Sequence, residues 1–598
     1  MQSVTKTNSS ARCSKPEQAL RASILSLLSL VCLGLADRPL ASVKQGDLQG
    51  VWQTSAKGLK YAAFMGIPYA EPPVGSLRFE PPKPAEAWDG VLDAGDFGSH
   101  CISYEHVLGQ TPRDPISGQE DCLFLNVFTP KLPDENTKED DLMHVIIYIH
   151  GGAFMFGASN YYGAKYLMDK NLVIVTLNYR VGPLGFLSFE DKFLPGNNGL
   201  RDQVLAMRWV QDNINFFGGN KYYVTLMGLS AGGASVHYQL MNHHTSRLFY
   251  GAISISGTAT CPWALVDNAK ERATTYANSL GCDTSNGTKE TVKCLKKKPA
   301  EDLMKAVEQF LVWQYSPFTP FGPVVERDRS PDYDEVLYAS PTEIMLSGRQ
   351  KRLRWMIGTV DSEGLYPVAN FINNEEELKR LDEEFDELVP FLLDFNHTVK
   401  SSDRLEVTRK IRKEYFGDKK ISKETTKELI KMVSDRLYLV DAQKAAEMQS
   451  QFAPIYFYRL TRRPSKSLSD LMTETTNNYG TSHADDFYYL MNMTFYEDYE
   501  RTGEELRFME MMLELVSQFA SLGKLPEYEG VKWNWVDVDA DFNYLHMDKV
   551  PPHMAYDNDI GNADFWLSLP IDEWTQRPKE KRRYLRNKED EMRSRDEL

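Results

Sequence analysis

The 598-residue sequence predicts an α/β fold, a mostly parallel central sheet flanked by helices in a single large domain. Two patterns carry that prediction and a third sets the domain count. Short apolar runs rich in β-branched residues recur along the chain, at His144–Ile149, Leu172–Leu177, Tyr223–Met227 and Pro454–Tyr458. Runs of this length suit strands buried on both faces, as in a parallel sheet. Between them lie segments of helical period. From Gln203 to Phe217, the residues Leu205, Ala206, Trp209, Val210, Ile214 and Phe217 share one side. In the acidic stretch from Glu375 to Glu387, Leu378, Leu381, Phe385 and Leu388 form a stripe, so its charges read as the solvated face of an ordinary helix. Strands alternating with helices are the α/β pattern. Length alone would allow about four domains at ~150 residues each, but no fixed-period repeat and no low-complexity linker divides the chain.

The two ends stand apart from this body. Lys6, Arg12, Lys15 and Arg21 precede the apolar run Ile24–Ala36, which is too short to span a bilayer and carries small residues at Gly34 and Ala36. Residues 1–36 are therefore expected to be a signal peptide, followed by a domain over 37–576. No other segment is long and apolar enough for a membrane span. The stretch 577–598 is dense in both charge signs and reads as a solvated tail ending in Arg595-Asp596-Glu597-Leu598. That end is a variant of the receptor-read signals for return to the endoplasmic reticulum. The expected location is the lumen of that compartment, with secretion as the alternative. With Lys+Arg 68 against Asp+Glu 84, the formal charge of −16 argues against nucleic-acid partners.

Cysteine usage fits an oxidising compartment. Beyond residue 36 the spacing suggests two local pairs, Cys101–Cys122 and Cys282–Cys294, with Cys261 left over. None has the tight repeated spacing of a zinc site, and no metal or organic cofactor is expected. Glycosylation sequons stand at Asn286, Asn396 and Asn492.

The strongest chemical signal is Gly228-Leu229-Ser230-Ala231-Gly232, which follows an apolar strand and opens a helix-compatible run. A serine on a sharp strand-to-helix turn holds its hydroxyl out of the sheet, and backbone crowding there demands nearby glycines. The helix also directs its positive end at the site. His150-Gly151-Gly152-Ala153-Phe154 follows another strand, and its glycines free backbone N–H groups to line an oxyanion hole together with the amide of Ala231. His150 reads as a structural residue. A serine nucleophile needs a base. His237 lies two helical turns beyond Ser230 and points away, and His243 and His244 read as surface residues. His483, in Gly480-Thr481-Ser482-His483-Ala484-Asp485-Asp486, suits a base on a mobile loop above a sheet. The acid candidate is Glu363, with Asp361 two residues away left open by spacing. Serine, acid, histidine is the chain order of α/β-hydrolases.

At this point the sequence resembles the type-B carboxylesterases. Phe217-Gly218-Gly219, Val224, Leu226 and Gly228–Gly232 match every fixed position of that family's nucleophile signature, and Glu120-Asp121-Cys122-Leu123-Phe124-Leu125-Asn126 matches its second signature. Asn178-Tyr179-Arg180, Asn198–Gln203 and Ile255-Ser256-Gly257 extend the likeness over roughly residues 43–569, and Ser230–His237 is most similar to insect members. The resemblance implies an α/β-hydrolase fold. It implies Ser230 as nucleophile, Glu363 as acid, His483 as base, and Gly151, Gly152 and Ala231 as the oxyanion hole. It also implies disulfides at the two cysteine pairs and Trp263 as a residue lining the acyl pocket.

Departures from the family narrow the substrate. Cholinesterases hold a quaternary ammonium on a tryptophan lying between the first cysteine and the Glu-Asp-Cys motif. Here Tyr104 is the only aromatic residue between Cys101 and Cys122, so choline esters are not expected. Juvenile hormone esterases carry Gln before the serine, where this chain has Leu229. Neuroligin-like relatives lack the triad that this chain retains. The expected activity is hydrolysis of small uncharged carboxyl esters, of xenobiotic, lipid, hormone or pheromone type, through an acyl-enzyme. The alternative is a catalytically silent binding or adhesion protein. If the terminal tetrapeptide contacts a retrieval receptor, deleting Arg595–Leu598 diverts the protein into the culture medium; unchanged retention on immunoblots of cells and medium rejects that signal.

Overall fold

The computed structural model describes residues 38–105, 115–245, 247–328, 333–494, 498–521, 526–537 and 539–571. The expected signal peptide and the charged tail lie outside the described residues. The centre is an eleven-stranded sheet: β1 (Val51–Thr54), β2 (Lys60–Pro68), β3 (Phe124–Thr129), β4 (Met143–Ile149), β5 (Leu172–Leu177), β6 (Gly219–Leu229), β7 (Gly251–Ile255), β8 (Arg354–Val360), β9 (Ile455–Leu460), β10 (Asn543–Met547) and β11 (His553–Tyr556). Their spatial order is β11-β10-β9-β8-β7-β6-β4-β5-β3-β2-β1. The seven strands from β10 to β5 run parallel to their neighbours, while β1–β3 and β11 add antiparallel margins. All four apolar runs read from the sequence lie in this sheet. The side chains from Val145 to Ile149 are fully buried, which explains why the run does not alternate: helices cover the parallel region on its faces.

The helices follow the periodicity with two differences. Helix α1 spans Asn198–Asn213 and begins five residues before the expected start. Its continuation Ile214–Phe217 tightens into a 3₁₀ turn that ends at Gly218 in the left-handed region, φ 80°. Helix α2 (Ala231–Met241) packs on β4, β6 and β7. Helix α3 (Thr288–Leu295) carries one cysteine of the Cys282–Cys294 bridge, and Cys101 joins Cys122. Cys261 is buried and free. The acidic stretch forms two helices where one was expected, α4 (Glu375–Glu383) and α5 (Phe385–Leu392), which meet at a non-helical Glu384. Asn374 caps α4 by accepting from the amides of Glu376 and Glu377. Pro390 inside α5 removes one bond from its ladder and keeps it short. The apolar stripe survives the break, since Leu378, Leu381, Phe385 and Leu388 are all buried.

The sequence motifs outside the site have structural work to do. Arg180, just after β5, and Asp202 on α1 form a buried two-pronged ion pair, with Nε–Oδ2 2.8 Å and Nη2–Oδ1 2.7 Å. The Arg180 amide also donates to Asp202, and its Nη1 donates to the carbonyl of Glu80. Glu120 accepts from Arg78 Nε at 2.6 Å, and Asn126 links Gly66, Ser159 and Thr176 across β2, β3 and β5. Removing one partner of a buried pair strands the other charge and costs about 3–5 kcal/mol. Asp202→Ala should therefore lower the unfolding free energy by that amount, read as a drop in the urea midpoint; a change under ~1 kcal/mol contradicts this account.

Candidate active site

Ser230 joins β6 to α2 at φ 58°, ψ −122°, a backbone conformation that strains an L-residue and persists only when its surroundings impose it. The surroundings are backbone. The Ser230 amide donates to the Ile255 carbonyl at 2.8 Å, and the Ser230 carbonyl accepts from Ala234 at 2.9 Å. A Cβ on Gly228 would lie 2.2 Å from the Gly232 carbonyl oxygen, and one on Gly232 would lie 2.0 Å from that of Ile149. A Cβ on Gly257 would meet the Ser230 carbonyl oxygen at 2.3 Å. The glycines of the motif, and Gly257 from the strand beside it, are thus required by close approach.

Gly151 and Gly152 follow β4 on the same side of the sheet. A Cβ on Gly151 would lie 2.7 Å from the Leu229 carbonyl oxygen and 3.0 Å from the Ser230 Cβ, so this loop is in contact with the serine turn. Gly152 has φ 113°. Among the described residues, neither of their amides donates to a backbone acceptor. Ala231 is the first residue of α2, where an amide has no partner within its own helix. His150 is buried, with Nδ1 2.8 Å from the Gly151 carbonyl and its ring stacked on Tyr179 at 4.3 Å. Burial brings its pKa down to about 4, so it stays neutral and shapes the loop.

His483 Nδ1 donates to Glu363 Oε2 at 2.6 Å, and both residues are almost wholly removed from solvent, at 3% and 0% exposure. Glu363 Oε1 accepts from the Val360 amide at 3.0 Å, which ties the carboxylate to the end of β8. The two acids left open by spacing face different partners. Asp361 is partly exposed and faces Arg459 at 3.2 Å, while Glu363 faces the imidazole. The loop of His483 is held by several contacts. The His483 ring packs on Tyr366 at 5.1 Å and on Tyr438 at 5.0 Å. Asp485 anchors the loop by accepting from the Ser482 amide, the Ser467 hydroxyl and the Leu468 amide. Asp486 accepts from the Tyr458 hydroxyl at 2.6 Å, and burial pushes its carboxyl up to about 7. The two tyrosines and the Asp485 anchor were missed in the sequence. The acid pair directly after His483 was the available signal for the anchor.

Ser230, His483, Gly151 and Gly152 line one cleft together with Leu229, Phe156, Tyr161, Tyr162, Tyr366, Leu468 and Met493. Its walls are aromatic and aliphatic, and among the described residues His483 is its only basic group. Trp263 stands behind this wall. It is buried, packs on Tyr438, Phe318 and Phe154, and donates from Nε1 to the Leu437 carbonyl at 2.9 Å. It therefore braces the segment that presents Tyr438 to His483. The other histidines weighed as a base lie elsewhere. His237 is buried against Trp355 and accepts from the Ala259 amide, and His243 and His244 are at the surface turn after α2. Of the three sequons, Asn286 is exposed, Asn396 is half-buried, and Asn492 packs against Gly163.

The same relationship emerges from comparison with known proteins. The carboxylesterase family matches residues 37–566. Venom carboxylesterase-6 of Apis mellifera is 36% identical over 557 residues, covering 92% of this chain and 98% of the relative. A carboxylic ester hydrolase of Bombus ignitus is 37% identical over 564 residues, with the same coverage of both chains. The crystal structure of juvenile hormone esterase from Manduca sexta, with OTFP covalently attached, superimposes with a TM-score of 0.78 at 27% identity, covering 89% of this chain and 99% of that one. With an α/β-hydrolase sheet, a strained serine turn and these relatives along nearly its whole described length, the chain belongs to the carboxylesterase family, enzymes that hydrolyse carboxylic esters.

Proposed function

We propose that the chain is a serine esterase that cleaves small uncharged carboxyl esters through an acyl-enzyme. The observation that carries this reading is the buried Glu363–His483 pair, whose imidazole lines the same cleft as Ser230. Ser230 Oγ attacks the ester carbonyl carbon while its proton passes to His483 Nε2. Charge then develops on the carbonyl oxygen, and the amides of Gly151, Gly152 and Ala231 supply donors for it. Each such donor contributes about 3 kcal/mol to the barrier reduction. The carbon–oxygen bond to the alcohol breaks, and His483 returns the proton to the departing oxygen. Water then attacks the acyl-serine and gives a proton to His483. Collapse releases the acid, and the proton goes back to Ser230. Glu363 holds the imidazole with Nδ1 protonated and stabilises the imidazolium. Support for a covalent route comes also from the Manduca sexta relative, which was solved with OTFP covalently attached.

The cleft's chemistry favours an uncharged substrate. Aromatic and aliphatic walls offer a desolvating surface and, among the described residues, no acidic side chain to hold a cationic alcohol. Trp263 would act on the acyl group through the wall it braces. The two disulfides favour a chain that matures in the secretory pathway, consistent with the expected luminal or secreted location.

Hydrolysis of short-chain nitrophenyl or naphthyl esters, together with fluorophosphonate labelling, tests the reading. Wild-type protein should turn over the ester and take up label at Ser230, and Ser230→Ala should lose label and about 10⁵–10⁶ in kcat. A folded wild type that does neither overturns the enzyme reading in favour of a silent binding protein. Glu363→Gln should lower kcat by about 10⁴ with little change in KM, because the wrong imidazole tautomer faces the serine. If Asp361→Asn has the larger effect, the acid has been misassigned.

A further inference from the structure

Away from the cleft, three metal-ligating side chains converge where the sheet ends. His546 on β10 and His553 on β11 are directly opposed across the antiparallel pair, with ring centroids 4.9 Å apart. Asp548 stands just beyond β10 and faces His553, with Oδ1 3.4 Å from Nδ1. One ring nitrogen from each histidine and a carboxylate oxygen of Asp548 all lie within 4.8 Å of one another. The spacing His546-x-Asp548-x₄-His553 has no tight repeat, and the sequence reading expected no metal. The site becomes visible only once β10 and β11 are in register.

We propose that His546, Asp548 and His553 bind a divalent transition-metal ion of the zinc class. Two nitrogens and one carboxylate oxygen are the donor set that such borderline ions prefer, and magnesium or calcium would call for more oxygens. A second observation points the same way. The atoms His553 Nδ1 and Asp548 Oδ1 are themselves shielded from solvent and, among the described residues, make no hydrogen bond, their one polar contact being the 3.4 Å approach to each other. His546 is already oriented, because its Nε2 lies 2.9 Å from the Thr461 hydroxyl at the end of β9. A tetrahedral ion with ligands at about 2.0–2.1 Å needs donors about 3.3 Å apart. The triad therefore has to close slightly. The side chains of His553 and Asp548 are 44% and 36% exposed, which leaves them free to turn inward. Arg459, the cation that acts on His546, is itself paired with Asp361, so the nearby positive charge is offset. A bound ion would clip the last parallel strand to the antiparallel margin and leave its fourth position to water.

Titration calorimetry with zinc chloride on tag-free, chelator-washed full-length protein tests the site. One ion should bind per chain, and zinc should raise the melting temperature by mass action. His553→Ala, a half-exposed position, should weaken binding by roughly tenfold or more and abolish the melting shift. His546→Ala should do the same, with circular dichroism confirming that each variant is folded. The double variant His243→Ala/His244→Ala should bind as wild type does. Absence of stoichiometric binding, undiminished affinity in folded His553→Ala, or loss of binding in the His243/His244 variant each overturns the proposal. Ester hydrolysis by the metal-free protein reports on the active site independently of this result.

Discussion

The turn at Ser230 is pressed against two neighbouring stretches of backbone at separations that leave no room for a side chain. Gly228 and Gly232 belong to the turn itself, Gly257 follows β7, and Gly151 follows β4. Parallel strands in register bring these four positions together at one end of the sheet. The strain at φ 58° is tolerable only because the sheet is stiff and its strands are buried on both faces. The buried ion pair of Arg180 and Asp202, which joins the end of β5 to α1, stiffens the same end. Loosening any of these contacts would let the serine relax toward an ordinary helix-cap conformation, and its hydroxyl would lose its fixed position at the cleft.

Electrostatics then act on that fixed geometry. Glu363 and His483 are nearly inaccessible to solvent, where a hydrogen-bonded pair is worth more than in water. The segment around Ile430–Tyr438 serves both partners. The Ser434 hydroxyl accepts from the Gly364 amide beside the acid, and Tyr438 packs on the base. Trp263 supports the same segment by bonding to Leu437. In the proposed reaction these groups touch no reacting atom, but they determine where the reacting atoms stand.

Much of this was legible in the sequence because it is local. Continuous apolar runs such as Val145–Ile149 record burial on both faces, and the glycines around Ser230 record close approach. Most of what escaped depends on which residues the fold brings face to face. Asp361 and Glu363 are two residues apart at a strand end, and only the position of a histidine 120 residues after Glu363 separates their surroundings. Tyr366 and Tyr438 are ordinary aromatics until packed on His483. The break at Glu384 in the acidic stretch left its apolar stripe intact, so the helical period persisted through a kink. His546 and His553 look unrelated until strand register places them opposite one another.

The packing of His483 has one more consequence. An imidazole fastened to Glu363 through Nδ1 and packed on two phenol rings cannot turn over between one half of a reaction and the next. In the proposed cycle, the nitrogen that collects a proton would be the one that delivers it, to an alcohol first and to the serine afterwards. Direction in such a cycle comes from the exchange of partners, as alcohol leaves and water enters. The traffic of small molecules through an apolar cleft would thereby keep time for an immobile base.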